Sequence, residues 1–291
     1  MAMKGCWVVE LDIRSFFDTL DHGHLRAFLR RRIRDGVLSR LIDKWLKAGV
    51  MEGGHRHRTT AGTPQGGVIS PLLANVYLHH VLDEWFEREV RPRMRGASCM
   101  VRYADDAVLC FKHQRDAERV MAVLPKRFSR YGLELHPVKT RKVAFERPPR
   151  AASSRQARRM TGVFDFLGFR HYWCRSRRSY WVVKRKTVPN RLSRALRSMR
   201  QWCRQHQHMP IEWQHQALCQ KIRGHYAYYG IIGNCGSLNS FFWEVRRIWR
   251  EWLSRRSRKA YIPWPRYEEM LKRMPLPPPR IVHSRGLVAK P

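Results

Sequence analysis

Acidic residues are scarce in this 291-residue sequence: 23 Asp and Glu stand against 58 Lys and Arg, which gives a formal net charge of +35. A chain this basic repels itself unless a polyanion is present. The seven cysteines include no Cys-x-x-Cys pair and are odd in number, which argues against a zinc finger and a disulfide framework. No apolar run approaches the ~18 residues of a membrane span, and we expect no signal peptide at Met1. These absences disfavour a secreted or membrane protein and favour a reducing compartment.

Aromatic residues, by contrast, are plentiful: the chain has 11 Trp, 10 Tyr and 12 Phe. Aromatic rings can stack on nucleic acid bases as well as fill a core. Together with the positive charge they favour a nucleic-acid-binding protein over a generically cationic one, which is the alternative.

Three aspartates lie at the ends of apolar segments. Residues 6–13 are predicted to form a buried strand that contains Asp12, and two further apolar strands flank Asp105 and Asp106 at a hairpin tip. An isolated Asp-Asp pair would most simply be a solvated turn. Adjacent carboxylates between apolar strands, however, raise each other's pKa unless a cation lies between them. Mg²⁺ prefers such hard oxygen ligands, and a pair of these ions can serve an in-line phosphoryl displacement.

Five sequence blocks, in order, resemble those of group II intron-encoded reverse transcriptases and maturases. They are residues 9–18, 62–75, 103–106, which read Tyr-Ala-Asp-Asp, 132–140 and 166–169. Residues 223–230 resemble the thumb or maturase region of the same family, so the resemblance covers essentially the whole chain. A retron or CRISPR-associated reverse transcriptase is a disfavoured alternative, because of this maturase-like segment.

The resemblance implies a role for each matched position. Asp12, Asp105 and Asp106 would be catalytic and, with the backbone carbonyl of Ile13, would hold two Mg²⁺ ions. Phe17 would exclude a ribose 2′-hydroxyl, and Lys139 would neutralise or protonate the pyrophosphate. The full set of implied nucleotide contacts is Arg14, Phe17, Gln65, Gly66, Ala104 and Lys139, and the implied primer support is Leu167, Gly168 and Phe169.

Basic residues recur at helical spacing after residue 187. The candidate RNA contacts are Arg191, Arg194, Arg197, Arg200, Arg204, Arg223 and Tyr226. The first five lie three or four residues apart and form one face of a predicted helix. A solvated face is the alternative for the arginines, and core packing is the alternative for Tyr226.

These patterns predict an α+β fold. A reverse transcriptase palm, with an antiparallel sheet packed with helices, is expected at 1–147, with partial fingers at about 25–61, and the end of its sheet at 164–187. A basic flexible loop is expected at 148–163, because residues 148–162 contain no large apolar residue except Met160. An all-α, three-helix thumb or maturase region is expected at 188–260. A Pro-rich, poorly structured tail follows at 261–291, with a short helix around 267–272.

The resemblance implies an RNA-directed DNA polymerase that joins a deoxynucleoside triphosphate to a DNA primer on an RNA template. It also implies binding of intron RNA and assistance to splicing. The alternative is an RNA-binding maturase that does no chemistry itself. The first catalytic strand begins within ten residues of Met1. We therefore expect a shortened member, with most of the fingers supplied as a separate N-terminal segment, in the cytoplasm.

Overall fold

The computed structural model describes residues 6–47, 50–52, 55–57, 62, 69–257 and 261–283. The chain divides into two compact units, one comprising Met1–Leu167 with Tyr172–Trp181 and the other Gly168–His171 with Val182–Pro291. The predicted α+β class is confirmed, because an antiparallel sheet packed with helices precedes a helical region. None of the helices in the described ranges is long and apolar enough to cross a membrane.

The first unit contains most of the strands. Its elements are β1 Cys6–Leu11, α1 Phe16–Thr19, α2 His22–Arg30, α3 Gly36–Lys47, β2 Val50–Glu52, β3 His55–His57, α4 Ser70–Leu78, β4 Ser98–Tyr103, β5 Asp106–Phe111, α5 Gln114–Ser129, β6 Arg141–Phe145, α6 Ser154–Met160 and β7 Phe164–Phe166. The division between the units then falls within β8 Phe169–Arg175 and β9 Trp181–Thr187. Residues 133–135, which their apolar pattern assigns to a strand, make only an isolated bridge from Leu135 to Ile13.

A four-stranded antiparallel sheet, in the order β4-β5-β1-β6, is the centre of this unit. Side chains alternate between its faces. Val9 and Leu11 of β1 join the main core under α2, α4 and α5. Val8 lies on the opposite face, in a smaller cluster with Val108 and Val143. Glu10 and Asp12 share the face of Val8 by this alternation.

Helix α4 is unusually apolar and is followed without a break by two π-helical turns, His79–Asp83 and Phe86–Val90. The buried side chains of this continuous helix include Tyr77, Val81 and Phe86, so it is part of the core. The Tyr77 hydroxyl donates a hydrogen bond to the carbonyl oxygen of Tyr131 at 2.5 Å. Each π turn rotates the side chains that follow it, because it contains an extra residue relative to an α-helical turn.

The prediction of a flexible loop at 148–163 is wrong for α6. Ser153 and Gln156 form a reciprocal capping box at its N-terminus, which satisfies two backbone N–H groups. Ala152 and Ala157 are buried in a small cluster with Trp181. Small alanines suffice because the large ring supplies most of the packing surface, so the lack of large apolar residues misled the prediction.

The described part of the second unit is built around four helices: α7 Pro189–Gln205, α8 Ile211–Tyr229, α9 Cys235–Leu253 and α10 Trp264–Arg273. The first three are the predicted ones, and α10 includes the predicted short helix but is longer. The tail is better ordered than predicted, because Leu276 is buried in the core of this unit. The Val282 N–H also donates to the Gly230 carbonyl oxygen at 2.7 Å.

Candidate active site

Asp12 follows the last residue of β1, where the chain leaves the sheet. The residues around Asp12 are held by the segment that precedes β6. The Asp12 carbonyl oxygen accepts a hydrogen bond from the His136 N–H at 2.9 Å and another from the Thr140 hydroxyl at 3.2 Å. The Arg14 N–H donates to the Glu134 carbonyl oxygen at 2.8 Å. The backbone that carries the Asp12 carboxylate is therefore fixed on both sides.

Asp105 and Asp106 lie at the tip of the β4–β5 hairpin. Tyr103 pairs with Asp106, so Ala104 and Asp105 form a two-residue loop. Ala104 has a φ of 52°, in the left-handed region that favours glycine, and a two-residue hairpin loop commonly requires this at its first position. Two consecutive acids therefore directly follow the residue whose backbone is strained.

Strand register brings the aspartates to one end of the sheet. Leu11 lies opposite Ala107, so Asp12 and Asp106 occupy the next facing positions and share a sheet face. Directly facing residues have Cβ atoms about 4.5–5.5 Å apart where the strands stay paired. Asp105 precedes Asp106 in the loop. Among the described residues, however, these three carboxylates do not form a group whose ligand atoms all lie within 4.8 Å of one another.

Lys139 lies beside the first of these carboxylates. Its Nζ is 3.2 Å from Oδ2 of Asp12, and the two side chains are 62% and 30% exposed. Lys139 lies between His136 and Thr140, which bond the Asp12 backbone, so the same loop positions both. The predicted nucleotide contact Arg14 pairs with Glu134 at 3.4 Å, and both of these side chains are exposed. Such exposed pairs are weak and remain available for other partners.

Glu10 shares a sheet face with Asp12 but has a different environment. It is 8% exposed and pairs with Arg141 across the sheet. Its Oε1 also accepts a hydrogen bond from the Asp165 N–H at 2.6 Å. A buried carboxylate with these partners has a structural role, because its oxygens are already used. The strand thus carries two acids, of which only Asp12 faces solvent.

Phe17 lies on the short helix α1, directly after Asp12 to Ser15. Phe16 is buried in the main core, whereas Phe17 is half-buried and contacts the Phe16 ring at 5.5 Å between centroids. Ser15 begins the helix with a φ of 44°. Gly62 lies against this segment: a Cβ there would be 2.6 Å from the Phe17 carbonyl oxygen. The glycine that opens the predicted nucleotide-pocket segment is therefore placed against the backbone of Phe17.

The predicted nucleotide contacts Gln65 and Gly66 lie outside the described residues. The primer-support residues are described. Leu167 and Gly168 have φ values of 49° and 74°, and the Gly168 carbonyl oxygen accepts a hydrogen bond from the Val188 N–H at 3.0 Å. The ring of Phe169 stacks on Tyr228 with 5.9 Å between centroids.

One charged residue in this region escaped the sequence-based prediction. Arg102, on β4, faces the helix side of the sheet and is 13% exposed. Its Nε and Nη2 bond both carboxylate oxygens of Asp83 at 2.7 and 2.6 Å. Its Nη1 donates to the Oδ1 atom of Asn75 and to the carbonyl oxygen of Ala104, each at 2.9 Å. No sequence signal links these residues, because Arg102 is 19 residues from Asp83 and 27 from Asn75.

A second group of polar side chains lies on the first π turn. His79, His80 and Glu84 are the only metal-capable set in the described ranges whose ligand atoms all lie within 4.8 Å. The hydrogen bond from His80 lowers the pKa of Glu84. Arg31 and Arg88 also lie within 4.0 Å of the Glu84 oxygens. Because two arginines already neutralise this carboxylate, the group is an ion-pair network.

The predicted RNA contacts of the second unit fall into two classes. Arg191, Arg194, Arg197, Arg204 and Arg223 have exposed side chains, whereas Arg200 is half-buried and pairs with Glu251 at 2.8 Å. Tyr226 is fully buried, and its hydroxyl donates to the Pro277 carbonyl oxygen at 3.3 Å. The prediction that Tyr226 contacts RNA is therefore wrong. An aromatic residue on one face of a helix can pack in the core as readily as it can stack on a base, so its spacing does not distinguish these two roles.

The chain resembles known proteins at several levels. It is 51% identical over 95 residues to the group II intron-encoded protein LtrA of Lactococcus lactis subsp. cremoris, covering 30% of this chain and 16% of LtrA. It is 37% identical over 134 residues to protein YkfC of Escherichia coli K12, covering 38% of this chain and 35% of YkfC. The matched part is thus well under two thirds of either relative.

A telomerase from Candida albicans, solved with a fragment of telomeric RNA, aligns with 92% of this chain and 46% of its own, at a TM-score of 0.47 and 12% identity. Residues 2–171, more than half of the chain, match the model of the family described as reverse transcriptase (RNA-dependent DNA polymerase). This match includes Asp12 and the Tyr-Ala-Asp-Asp tip, whose strands the structure pairs side by side. The chain therefore belongs to the reverse transcriptase family.

Proposed function

We propose that the chain is the polymerase core of a group II intron-type reverse transcriptase. In the proposed reaction a primer 3′-hydroxyl attacks the α-phosphate of a deoxynucleoside triphosphate, the bond to the β-phosphate breaks and pyrophosphate leaves. The observation that carries the proposal is the register of β1 and β5: their final pair is Leu11 with Ala107, so Asp12 and Asp106 are the residues next to this pair, at the same end of the sheet as Asp105.

The donor set fits Mg²⁺. All three side chains are carboxylates, and Asp12 already stabilises a positive charge, the Lys139 ammonium, at 3.2 Å. Two bound Mg²⁺ ions would favour ionisation of the attacking hydroxyl and stabilise the leaving oxygen. Asp12 and Asp105 are proposed as direct ligands with the Ile13 carbonyl, and Asp106 completes the acidic cluster.

The remaining residues position the nucleotide in this proposal. The Phe17 ring excludes a ribose 2′-hydroxyl, and Ala104 is small enough to lie beneath the nucleotide. Lys139 can turn from Asp12 and donate its proton to the departing pyrophosphate, because its side chain is more than half exposed. Arg14 and the segment with Gln65 and Gly66 contact the nucleotide, and Leu167, Gly168 and Phe169 support the primer end.

The direct test is primer extension on an RNA template with Mg²⁺. Asp105→Ala should abolish extension while the fold and the RNA affinity stay as in wild type. Asp35→Asn, at the N-terminus of α3, is the matched control for loss of one carboxylate. Extension that persists in excess chelator would refute two-metal catalysis.

A second candidate function is RNA binding without polymerisation, as a maturase that stabilises folded intron RNA. The observation that favours it is the set of exposed arginines on α7. Changing Arg191, Arg194 and Arg197 together to Gln should lower the slope of log affinity against log salt by roughly two to three. If RNA affinity persists in Asp105→Ala while the α7 variant loses it, binding and chemistry are separate functions.

A further inference from the structure

We propose that Arg102 is a positioning residue for the catalytic hairpin: it holds the Ala104 carbonyl and so fixes the direction in which Asp105 is presented. The inference rests on the proposed polymerase function. Arg102 lies on the sheet face opposite Asp106, because it pairs with Ala107 while its neighbour Tyr103 pairs with Asp106. In this proposal Arg102 therefore influences the metal ligands through the backbone of the hairpin.

The guanidinium of Arg102 uses its planar geometry fully. One edge, Nε and Nη2, binds the Asp83 carboxylate in a bidentate pair, and Nη1 reaches both Asn75 and Ala104. Lysine cannot reproduce this arrangement, since its ammonium is a point charge without a fork. Asn75 and Asp83 lie on one continuous helix, so Arg102 has two fixed supports there and one bond to the hairpin loop.

The hydrogen bond from Arg102 to the hairpin loop is made at Ala104, the residue whose backbone is strained. Left-handed backbone at an L-residue costs roughly 1–2 kcal/mol, and such strain persists only where the surroundings hold it. The φ of Ala104 is 52°. Its carbonyl belongs to the peptide unit that joins Ala104 to Asp105, so a bond to this oxygen sets the plane of that peptide. The plane in turn sets where the Asp105 side chain points.

The bond also connects the loop to the predicted nucleotide pocket. Asn75 is the last residue of the 62–75 segment, whose first residue, Gly62, lies against the Phe17 carbonyl. Arg102 thus bonds both the helical end of the 62–75 segment and the loop that carries the acids. A purely structural ion pair would need only Asp83, and the additional bond to Ala104 is what favours positioning.

The chain offers a matched control in Arg127. This half-buried arginine donates to the carbonyl oxygens of Val81 and His80, on the same helix, at 3.0 and 3.2 Å. Its described hydrogen bonds do not include one to the β4–β5 loop. Loss of Arg127 therefore removes comparable support from the helix but leaves the loop contact of Arg102 in place.

The experiment titrates Mn²⁺ into the whole chain and follows free Mn²⁺ by electron paramagnetic resonance. Arg102→Lys and Arg102→Ala should weaken binding by roughly tenfold, the effect of losing a residue that orients a metal ligand. Ethylguanidinium should restore part of the affinity of Arg102→Ala. Arg127→Ala should bind Mn²⁺ within about twofold of wild type.

The outcomes separate this inference from the proposed function. If Asp105→Ala binds Mn²⁺ as tightly as wild type, the metal site itself is wrong. If Asp105→Ala loses binding but Arg102→Lys and Asn75→Ala keep it, the positioning role is refuted. If Arg102→Ala fails to fold, the Mn²⁺ affinity of Asn75→Ala tests the positioning role instead. Asn75 is exposed, and its loss removes one partner of Arg102 while the pair with Asp83 stays intact.

Discussion

Lys139 Nζ lies 3.2 Å from Oδ2 of Asp12, although the two residues are 127 positions apart. The lysine belongs to the loop that bonds the Asp12 backbone, so one segment controls both the position of this carboxylate and that of the positive charge beside it. We expect a metal ion at this oxygen of Asp12 to compete with the Lys139 ammonium group. In the proposed reaction, a displaced Lys139 would then be available to the pyrophosphate.

Lys139→Met should consequently have two opposed effects. Mn²⁺ affinity should rise by a few fold, because the competing charge is gone, while the rate of primer extension should fall by roughly 10² because a proton donor is lost. Binding is measured by Mn²⁺ titration and the rate by single-nucleotide extension. Lys142→Met is the control, since Lys142 pairs with Glu118. Weaker Mn²⁺ binding by Lys139→Met would contradict the competition.

Removal of the Phe17 ring should relax sugar selection. Phe17→Ala should raise incorporation of ribonucleotides relative to deoxynucleotides, at a stability cost of about 1–2 kcal/mol for a half-buried ring. Incorporation ratios are measured by extension with each triphosphate. Phe16→Leu is the control, because Phe16 is buried in the core next to it. An unchanged ratio in an active Phe17→Ala protein would show that the ring is packing alone.

Two glycines should respond oppositely to alanine. Gly62→Ala should destabilise the fold by roughly 2 kcal/mol, because its φ is 85° and its Cβ would meet the Phe17 carbonyl. Gly224, within α8, has open space within 4 Å of where a Cβ would lie, so Gly224→Ala should stabilise by about 0.5–1 kcal/mol. Chemical denaturation measures both. A neutral Gly62→Ala would mean that the backbone approach at Phe17 is relieved easily.

His225 should make the second unit sensitive to acid. Its ring stacks on Phe241 with centroids 3.7 Å apart, and its buried Nε2 has no hydrogen-bond partner in the described residues. Burial lowers the pKa of His225 to about 4. Because the folded pKa lies below the unfolded value of ~6.5, the stabilisation is complete above pH ~6.5 and is lost as pH falls towards 4.

The expected loss is about 2 kcal/mol of unfolding free energy over that range, once partial solvent exposure is allowed for. Denaturant titrations at several pH values measure it. His225→Phe should flatten the dependence, and a substitution at exposed His208 controls for removal of a histidine elsewhere. If His225→Phe keeps the wild-type slope, the acid sensitivity has another origin.

Local patterns were sufficient to predict much of the first unit. The strand before Asp12 and the hairpin around Asp105 and Asp106 were both predicted, because apolar periodicity reports burial directly. The same reasoning failed at α6, where the signal was a capping box followed by alanines. It also failed at Tyr226, since an aromatic residue gives the same signal whether it meets a base or a core.

The site was less predictable than the strands that carry it. Arg102 looked like one of many basic residues, and its partners Asn75 and Asp83 face it only because helix α4 continues through a π turn. Lys139 is predicted to act on pyrophosphate, but its contact with Asp12 depends on the loop before β6, which is distant in sequence and adjacent only in the folded sheet. Contacts of this kind join residues that are far apart in the sequence, so they produce no periodic sequence pattern from which they could be predicted.

Ser15 and Ala104 are non-glycine residues with positive φ, at 44° and 52°. Ser15 comes three residues after Asp12, and Ala104 directly precedes Asp105. Changing both residues to glycine, which adopts this geometry readily, should raise the melting temperature. Such a protein would give up the side chains that limit how the two backbones move, so a higher melting temperature would come with a looser arrangement of Asp12 and Asp105. Natural variants of this chain should therefore show thermal tolerance and catalytic rate moving in opposite directions at these two positions.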